Sequence, residues 1–166
     1  MGKCAGFLRS VMSNSISIVP FEPGYVTHFV RLNKAWIERY FELEAEDEKV
    51  LNDPQAFILD KGGQIYFAVF NGSIAGTFAL QKLDATTFEL SKMAVDESFR
   101  GKGIGHALME GAIEKAKNLG VTTLVLYSNT ALQPAIHLYK KFGFSEVALE
   151  HSHFKRANIK MQKELS

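Results

Sequence analysis

The chain has 166 residues, 46% of them apolar and 22% charged, which suits one ordinary globular domain with a complete core and leaves no room for two. A formal charge of +1 excludes the strong field of a polyanion binder. The single cysteine, Cys4, excludes an internal disulfide framework, and no apolar run approaches the roughly 20 residues of a membrane helix.

At the N-terminus, Cys4 to Leu8 between Lys3 and Arg9 is too short for a secretory h-region. Met1-Gly2 is followed by Gly6 where a myristoylation signal needs Ser or Thr. The expectation is a cytoplasmic protein with neither nucleic acid nor membrane among its partners. Residues 1–14 read as an extension before a single domain at 15–166, and Met12 offers an alternative start that leaves 1–11 outside the native protein.

Ser15–Val19 reads as a short strand ended by Pro20. Tyr25, Phe29, Leu32, Trp36 and Tyr40 then recur at three- and four-residue spacing, the pattern of an amphipathic helix packed on a core. Trp36 and Tyr40 are also placed to face a substrate cleft. From Glu38 to Asp53 run seven acidic residues (Glu38, Glu42, Glu44, Glu46, Asp47, Glu48, Asp53) against Arg39 and Lys49. Such a run is ordinarily a solvated helix face, and beside an active site it would attract a cationic amine, whereas His153-Phe154-Lys155-Arg156 would instead contact an acidic group. Lys61-Gly62-Gly63 marks a turn. Gln64–Phe70 and Ser73–Leu80 flank Asn71-Gly72, a strong two-residue hairpin signal, and Gly76 inside the second arm signals a bulge or a close backbone contact. Thr86–Val95 completes a three-stranded meander.

A helix over 104–119 follows, with Ile104, Leu108, Ala112, Ala116 and Leu119 on one face and Gly120 as its stop. Thr122–Tyr127 is a near-continuous apolar strand, as a buried parallel partner should be. A helix over 132–142 and strands at Ser145–Leu149 and Ala157–Leu165 close the chain. His151 and His153 would share a strand face, but two ligands without a third make no metal site. His106 and His137 read as helix-surface residues.

Between the meander and the 104–119 helix lies Arg100-Gly101-Lys102-Gly103-Ile104-Gly105. Alternate glycines at a strand-to-helix junction let a ligand approach the backbone, and the free N–H groups of the helix end favour an anion. Arg100 and Lys102 add charge, so this is a phosphate cradle. A Walker loop is excluded because His106, not Lys, follows the last glycine. A dinucleotide loop is excluded by the same residue and by the five residues separating Val95 from the first glycine.

The Arg-Gly-x-Gly-x-Gly loop, the strand Glu89-Leu90-Ser91-Lys92-Met93-Ala94-Val95 and the segment from Ser128-Asn129 through Ala135 to Phe144 together resemble the GNAT superfamily of N-acetyltransferases over roughly residues 15–165. The resemblance implies an α/β mixed sheet, mostly antiparallel with one parallel pair and flanked by helices. It implies acetyl-CoA as co-substrate, no metal, and an amine acceptor, a small molecule in preference to a peptide amine. Met93 and Val95 would pair with the pantetheine through their backbone. Residues 101–105 (Gly101, Lys102, Gly103, Ile104, Gly105) would hold the pyrophosphate beside Arg100, and Asn129 would contact the pantetheine. Glu89 corresponds to a carboxylate base, direct or through water, and Tyr139 to the acid that protonates the departing thiolate. By strict alternation Glu89, Met93 and Val95 share one strand face, a register that a bulge would break. Homodimers are common among similar proteins.

The implied reaction transfers acetyl directly to a primary amine. Freeing an alkylammonium near pKa 10.4 at neutral pH costs about 4–5 kcal/mol, against roughly 2 kcal/mol for a thiol near 8.5, so the base matters more than the acid. The competing reading is a non-catalytic acyl-CoA-binding regulatory module, against which Glu89 and Tyr139 together argue.

Overall fold

The protein is described by a computed structural model covering residues 15–166. Cys4, the Met1-Gly2 terminus, the expected 1–14 extension and the alternative start at Met12 lie outside the described residues. Strand β1 (Ile16–Pro20) leads through a short 3₁₀ turn into helix α1 (Val26–Tyr40) and helix α2 (Ala45–Asn52). Strands β2 (Gln64–Phe70), β3 (Ser73–Lys82) and β4 (Thr87–Val95) follow. Helix α3 (Ile104–Asn118), strand β5 (Thr123–Ser128), helix α4 (Gln133–Lys141) and strands β6 (Ser145–Val147) and β7 (Ile159–Glu164) complete the chain.

The strands form one sheet in the order β1-β2-β3-β4-β5-β7-β6, antiparallel except for β4 against β5. This is the mixed sheet with one parallel pair that the sequence led us to expect. Asn71 and Gly72 both have positive φ, 48° and 83°, as a type I′ hairpin requires.

Helices cover both faces. Under α3 and α4, Phe78, Leu80, Phe88, Leu90, Leu124 and Leu126 of the sheet meet Ile104, Leu108, Met109 and Ile136. On the opposite face Phe67 and Ala79 meet Phe29 of α1 and Val50 and Leu51 of α2. Of the expected α1 stripe, Phe29 and Leu32 are buried and Ile37 joins them, Tyr25 and Trp36 are half-buried, and Tyr40 is exposed. Gly76 is a close approach: a Cβ there would sit 3.0 Å from Ile104 and Leu108 side chains and 3.1 Å from the Ala94 carbonyl. The β2–β3 register also shifts beside it, since Ala68 faces Gly76 while Val69 faces Ile74.

Two expectations change. The last strands are shorter than read, and residues 148–158 form a loop, so His151 and His153 share no strand face and gain no third metal ligand among the described residues. The cause is polar. Glu44 at the start of α2 accepts the Lys155 N–H at 2.8 Å and the Arg156 N–H at 3.4 Å, drawing this segment off the sheet. The register of β4 also breaks. Thr77 faces Ala94 but Ala79 faces Ser91, so β4 carries one extra residue there, with Lys92 at φ 52°. Glu89 and Ser91 therefore lie on the α1 face of the sheet, while Met93 and Val95 pack against the α3 cluster. The shared face expected for Glu89, Met93 and Val95 does not exist.

Candidate active site

Strand β4 pairs with β5 only from Thr87 to Glu89, against Thr123 to Val125. Past that point the two strands diverge. Leu90–Met93 and Leu126–Asn129 become opposite walls of a cavity of about 100 Å³, closed further by Asn33, Trp36, Phe41, Tyr139, Phe154 and Arg156. The edge of β4 here is not claimed by β5, so its backbone can pair with an extended ligand. A larger open cleft, about 650 Å³, runs from Met93–Asp96 to Arg100, Gly105 and Leu138. Trp36, Met93 and Tyr139 line both spaces and mark where they meet.

The structure brings Glu89 and Tyr139 to one cavity although 50 positions separate them in the chain. Burial pushes the Glu89 carboxyl up to about 7 against the opposing pull of Lys92 and Lys160, which puts it at the working pH of a general base. Burial pushes the Tyr139 hydroxyl up to about 12, while a hydrogen bond with Ser128 works against the rise. Tyr139 stays protonated throughout the physiological range.

The glycine loop has the shape of an anion cradle. Gly101 and Gly103 have φ of 74° and 80°, and a Cβ on either would meet no protein atom within 4 Å. Both are glycine for backbone conformation, and the space beside them is open to a ligand. The first helical bond of α3 runs from the Ala107 N–H to the Gly103 carbonyl at 3.0 Å, leaving the first-turn N–H groups without intrahelical partners. Ile104 contributes only its backbone, because its side chain is buried in the core. Lys102 is exposed, and Arg100 donates to the Tyr40 hydroxyl at 2.9 Å. Asn129 lines the cavity, but its amide donates to the Arg156 carbonyl at 2.7 Å and its oxygen accepts the Ala131 N–H at 2.8 Å.

Sequence reasoning singled out Arg156 but missed Asp47 and Lys92, with which it forms the ionic centre of the site. Asp47 of α2, wholly buried, receives Lys92 at 2.9 Å and both guanidinium ends of Arg156, at 2.6 and 2.7 Å. Burial opposes ionisation of Asp47. Arg156, then Lys92 and the Glu44 N–H, outweigh that and bring its pKa down to about 2. Both cations also lie over the Phe154 ring, at 4.7 and 4.4 Å. Lys92 escapes a pattern reading because alternation places it on the other face, and only the bulge turns it toward α2. Asp47 was visible only as one member of an acidic run.

A family model described as the acetyltransferase (GNAT) family matches residues 29–144, a span that begins in α1 and ends beyond α4. The chain belongs to this family. An uncharacterized N-acetyltransferase of Bacillus subtilis, YvbK, is 36% identical over 116 residues, covering 68% of this chain and 75% of that protein. The crystal structure of a GNAT acetyltransferase from Staphylococcus aureus Mu50 shares the fold at a TM-score of 0.81, with 23% identity over 92% of this chain and all of that one. A GNAT acetyltransferase of Elizabethkingia anophelis with acetyl-CoA bound matches at a TM-score of 0.65 and 26% identity, over 90% of this chain and 98% of that one. This GNAT protein is thus an acetyl-CoA-dependent N-acetyltransferase, and its glycine cradle and open strand edge fit that co-substrate. No helix among the described residues is long and apolar enough to cross a membrane.

Proposed function

We propose that this acetyltransferase acylates the primary amine of a small molecule, with Glu89 as base and Tyr139 as hydrogen-bond donor to the leaving sulfur. The observation carrying the reading is that both residues line one small cavity, which meets the open cleft at Trp36, Met93 and Tyr139. The 148–158 loop, pinned to α2 through Glu44 and Asp47, closes over that cavity. A roof held by buried ion pairs suits a small acceptor better than a protein surface.

Acetyl-CoA supplies an activated acetyl thioester. In this reading the N–H groups of Gly101 to Gly105 and the Arg100 and Lys102 side chains hold its pyrophosphate, and the backbone of Met93 and Val95 pairs with its arm as an added strand. Asn129, whose side chain is already committed, contributes by shaping the turn after β5. Raising the base from an ordinary 4.5 to about 7 recovers about 3 kcal/mol of the cost of deprotonating the ammonium. Tyr139 is a poor proton donor by the same measure. Handing its proton to a thiolate near 8.5 from a phenol near 12 is uphill by about 5 kcal/mol. Its role is then to hold a hydrogen bond to the charge developing on sulfur.

Thiol release from acetyl-CoA over a panel of small amines and short peptides tests the reading. Small amines are expected to exceed peptides at least tenfold in kcat/KM, and turnover confined to peptides would overturn it. Tyr139→Phe should lower kcat by about 10²–10³-fold, the usual cost of removing a donor from developing charge, with CoA affinity held within about threefold by calorimetry. Full activity in that variant would leave Tyr139 a packing residue.

A further inference from the structure

We infer that the acceptor amine also carries a carboxylate, held by Lys92 and Arg156 while the amine faces Glu89. The inference deepens the acetyltransferase reading above and rests on it.

The acidic run of residues 38–53 points the other way in sequence, toward a cationic acceptor, but the fold takes it out of contention. Glu38, Glu42, Glu48 and Asp53 are exposed, and no member of the run lines the cavity. The two that come nearest, Glu44 and Asp47, stand behind Arg156 and Lys92 and are paired with them. The charged side chains on the cavity wall are therefore Lys92, Arg156 and Glu89. Lys92 and Arg156 are each paired with the Asp47 carboxylate, and Glu89 is the proposed base. An amine bearing a second positive charge would meet two cations there, whereas an amine bearing a carboxylate would meet opposite charge.

The cations also retain donors. A guanidinium has five N–H groups and an ammonium three. Asp47 and Glu44 engage the Nη1 and Nη2 ends of Arg156, and Asp47 takes one ammonium contact from Lys92. Among the described residues the Arg156 Nε–H and the rest of the Lys92 ammonium have no such partner. The Ser91 hydroxyl, on a residue lining the same cavity, is buried with no hydrogen-bond partner among the described residues. A bound carboxylate would satisfy these donors, and charge-assisted hydrogen bonds of this kind are the strong ones. The ion pairs with Asp47 hold both cations in place before any acceptor arrives, so little ordering is needed on binding. Trp36, Phe41 and Phe154 supply the apolar remainder of the wall.

Matched acceptors test this with the native enzyme. Glycine, alanine, β-alanine, aspartate, glutamate and phenylalanine are each compared with the corresponding carboxamide, and a diamine series supplies the cationic arm. At least one free acid should exceed its amide, and every diamine, by tenfold or more in kcat/KM. Lys92→Asn then probes the cause. Asn tolerates the positive φ of this position, and Asp47 keeps its bidentate Arg156 partner. In this variant the acid-to-amide ratio should fall at least tenfold through KM, with unfolding curves confirming the fold. Amides or diamines equal to or better than all the acids, or an unchanged ratio in Lys92→Asn, would overturn the inference and leave the acetyltransferase reading standing. No thiol release with any amine, despite acetyl-CoA binding, would sink that reading and this inference with it.

Discussion

Asp47→Asn is expected to cost about 3–5 kcal/mol of stability at pH 7, the usual penalty for removing one partner from a buried ion pair. Asp47 is wholly inaccessible, and its carboxylate is the common partner of Lys92 and Arg156. A neutral amide would leave the nearly buried Lys92 ammonium without a salt-bridge partner among the described residues, and Arg156 with Glu44 alone. For a domain of this size each kcal/mol moves the unfolding midpoint by about 2–4 °C, so a fall of roughly 10 °C is expected. The pH dependence follows from a pKa lowered to about 2 from 3.8. A carboxyl depressed on folding stabilises the fold above its unfolded value and loses that contribution as pH falls through the folded one. The native protein should lose about 2 kcal/mol between pH 4 and pH 2 through this residue. Asp47→Asn should lose correspondingly less over the same interval. Denaturant unfolding at pH 7 and across the acid range checks both. A variant within 1 kcal/mol of the native protein at pH 7 would mean that Lys92 and Arg156 find other compensation.

Glu89→Gln carries the largest expected loss of activity, about 10²–10⁴-fold in kcat/KM. The pH profile separates a base from a structural residue. If Glu89 takes the proton from the bound ammonium, kcat/KM of the native enzyme rises tenfold per pH unit up to about 7, where this raised carboxyl ionises, and then levels off. The Gln variant has no group to make that break. Its residual rate should climb steadily with pH as the acceptor's own ammonium loses its proton. A break near 7 surviving in Glu89→Gln would reassign the base to another group.

These two residues differ in how far the chain alone reveals them. Glu89 stood out in the sequence because it belongs to a contiguous strand pattern, Glu89 to Val95, whose resemblance to a known family implies the role proposed for it. Tyr139 stood out for the same reason. That the two share a cavity is decided by the divergence of β4 from β5 beyond Glu89. Asp47 was invisible as a site residue, being one carboxylate among seven. Its partners lie 45 and 109 positions away, and no local rule connects them. The acidic run illustrates the limit well: its composition invited a cationic acceptor, whereas packing exposes most of it and sets Glu44 and Asp47 behind Arg156 and Lys92.

The cradle proposed at Arg100 to Gly105 could be read from the sequence because its features are local. Glycines that permit positive φ, free N–H groups at a helix end and two adjacent cations all fall within six positions. Element order and the donor co-substrate follow from such short-range patterns. The proposed acceptor pocket is of the other kind. It depends on one extra residue in β4, which turns Lys92 out of its alternating register and onto Asp47, and on a loop drawn from the far end of the sheet to the start of α2. Only the tertiary structure could decide it, since a bulge and a buried ion pair are settled by long-range packing and desolvation.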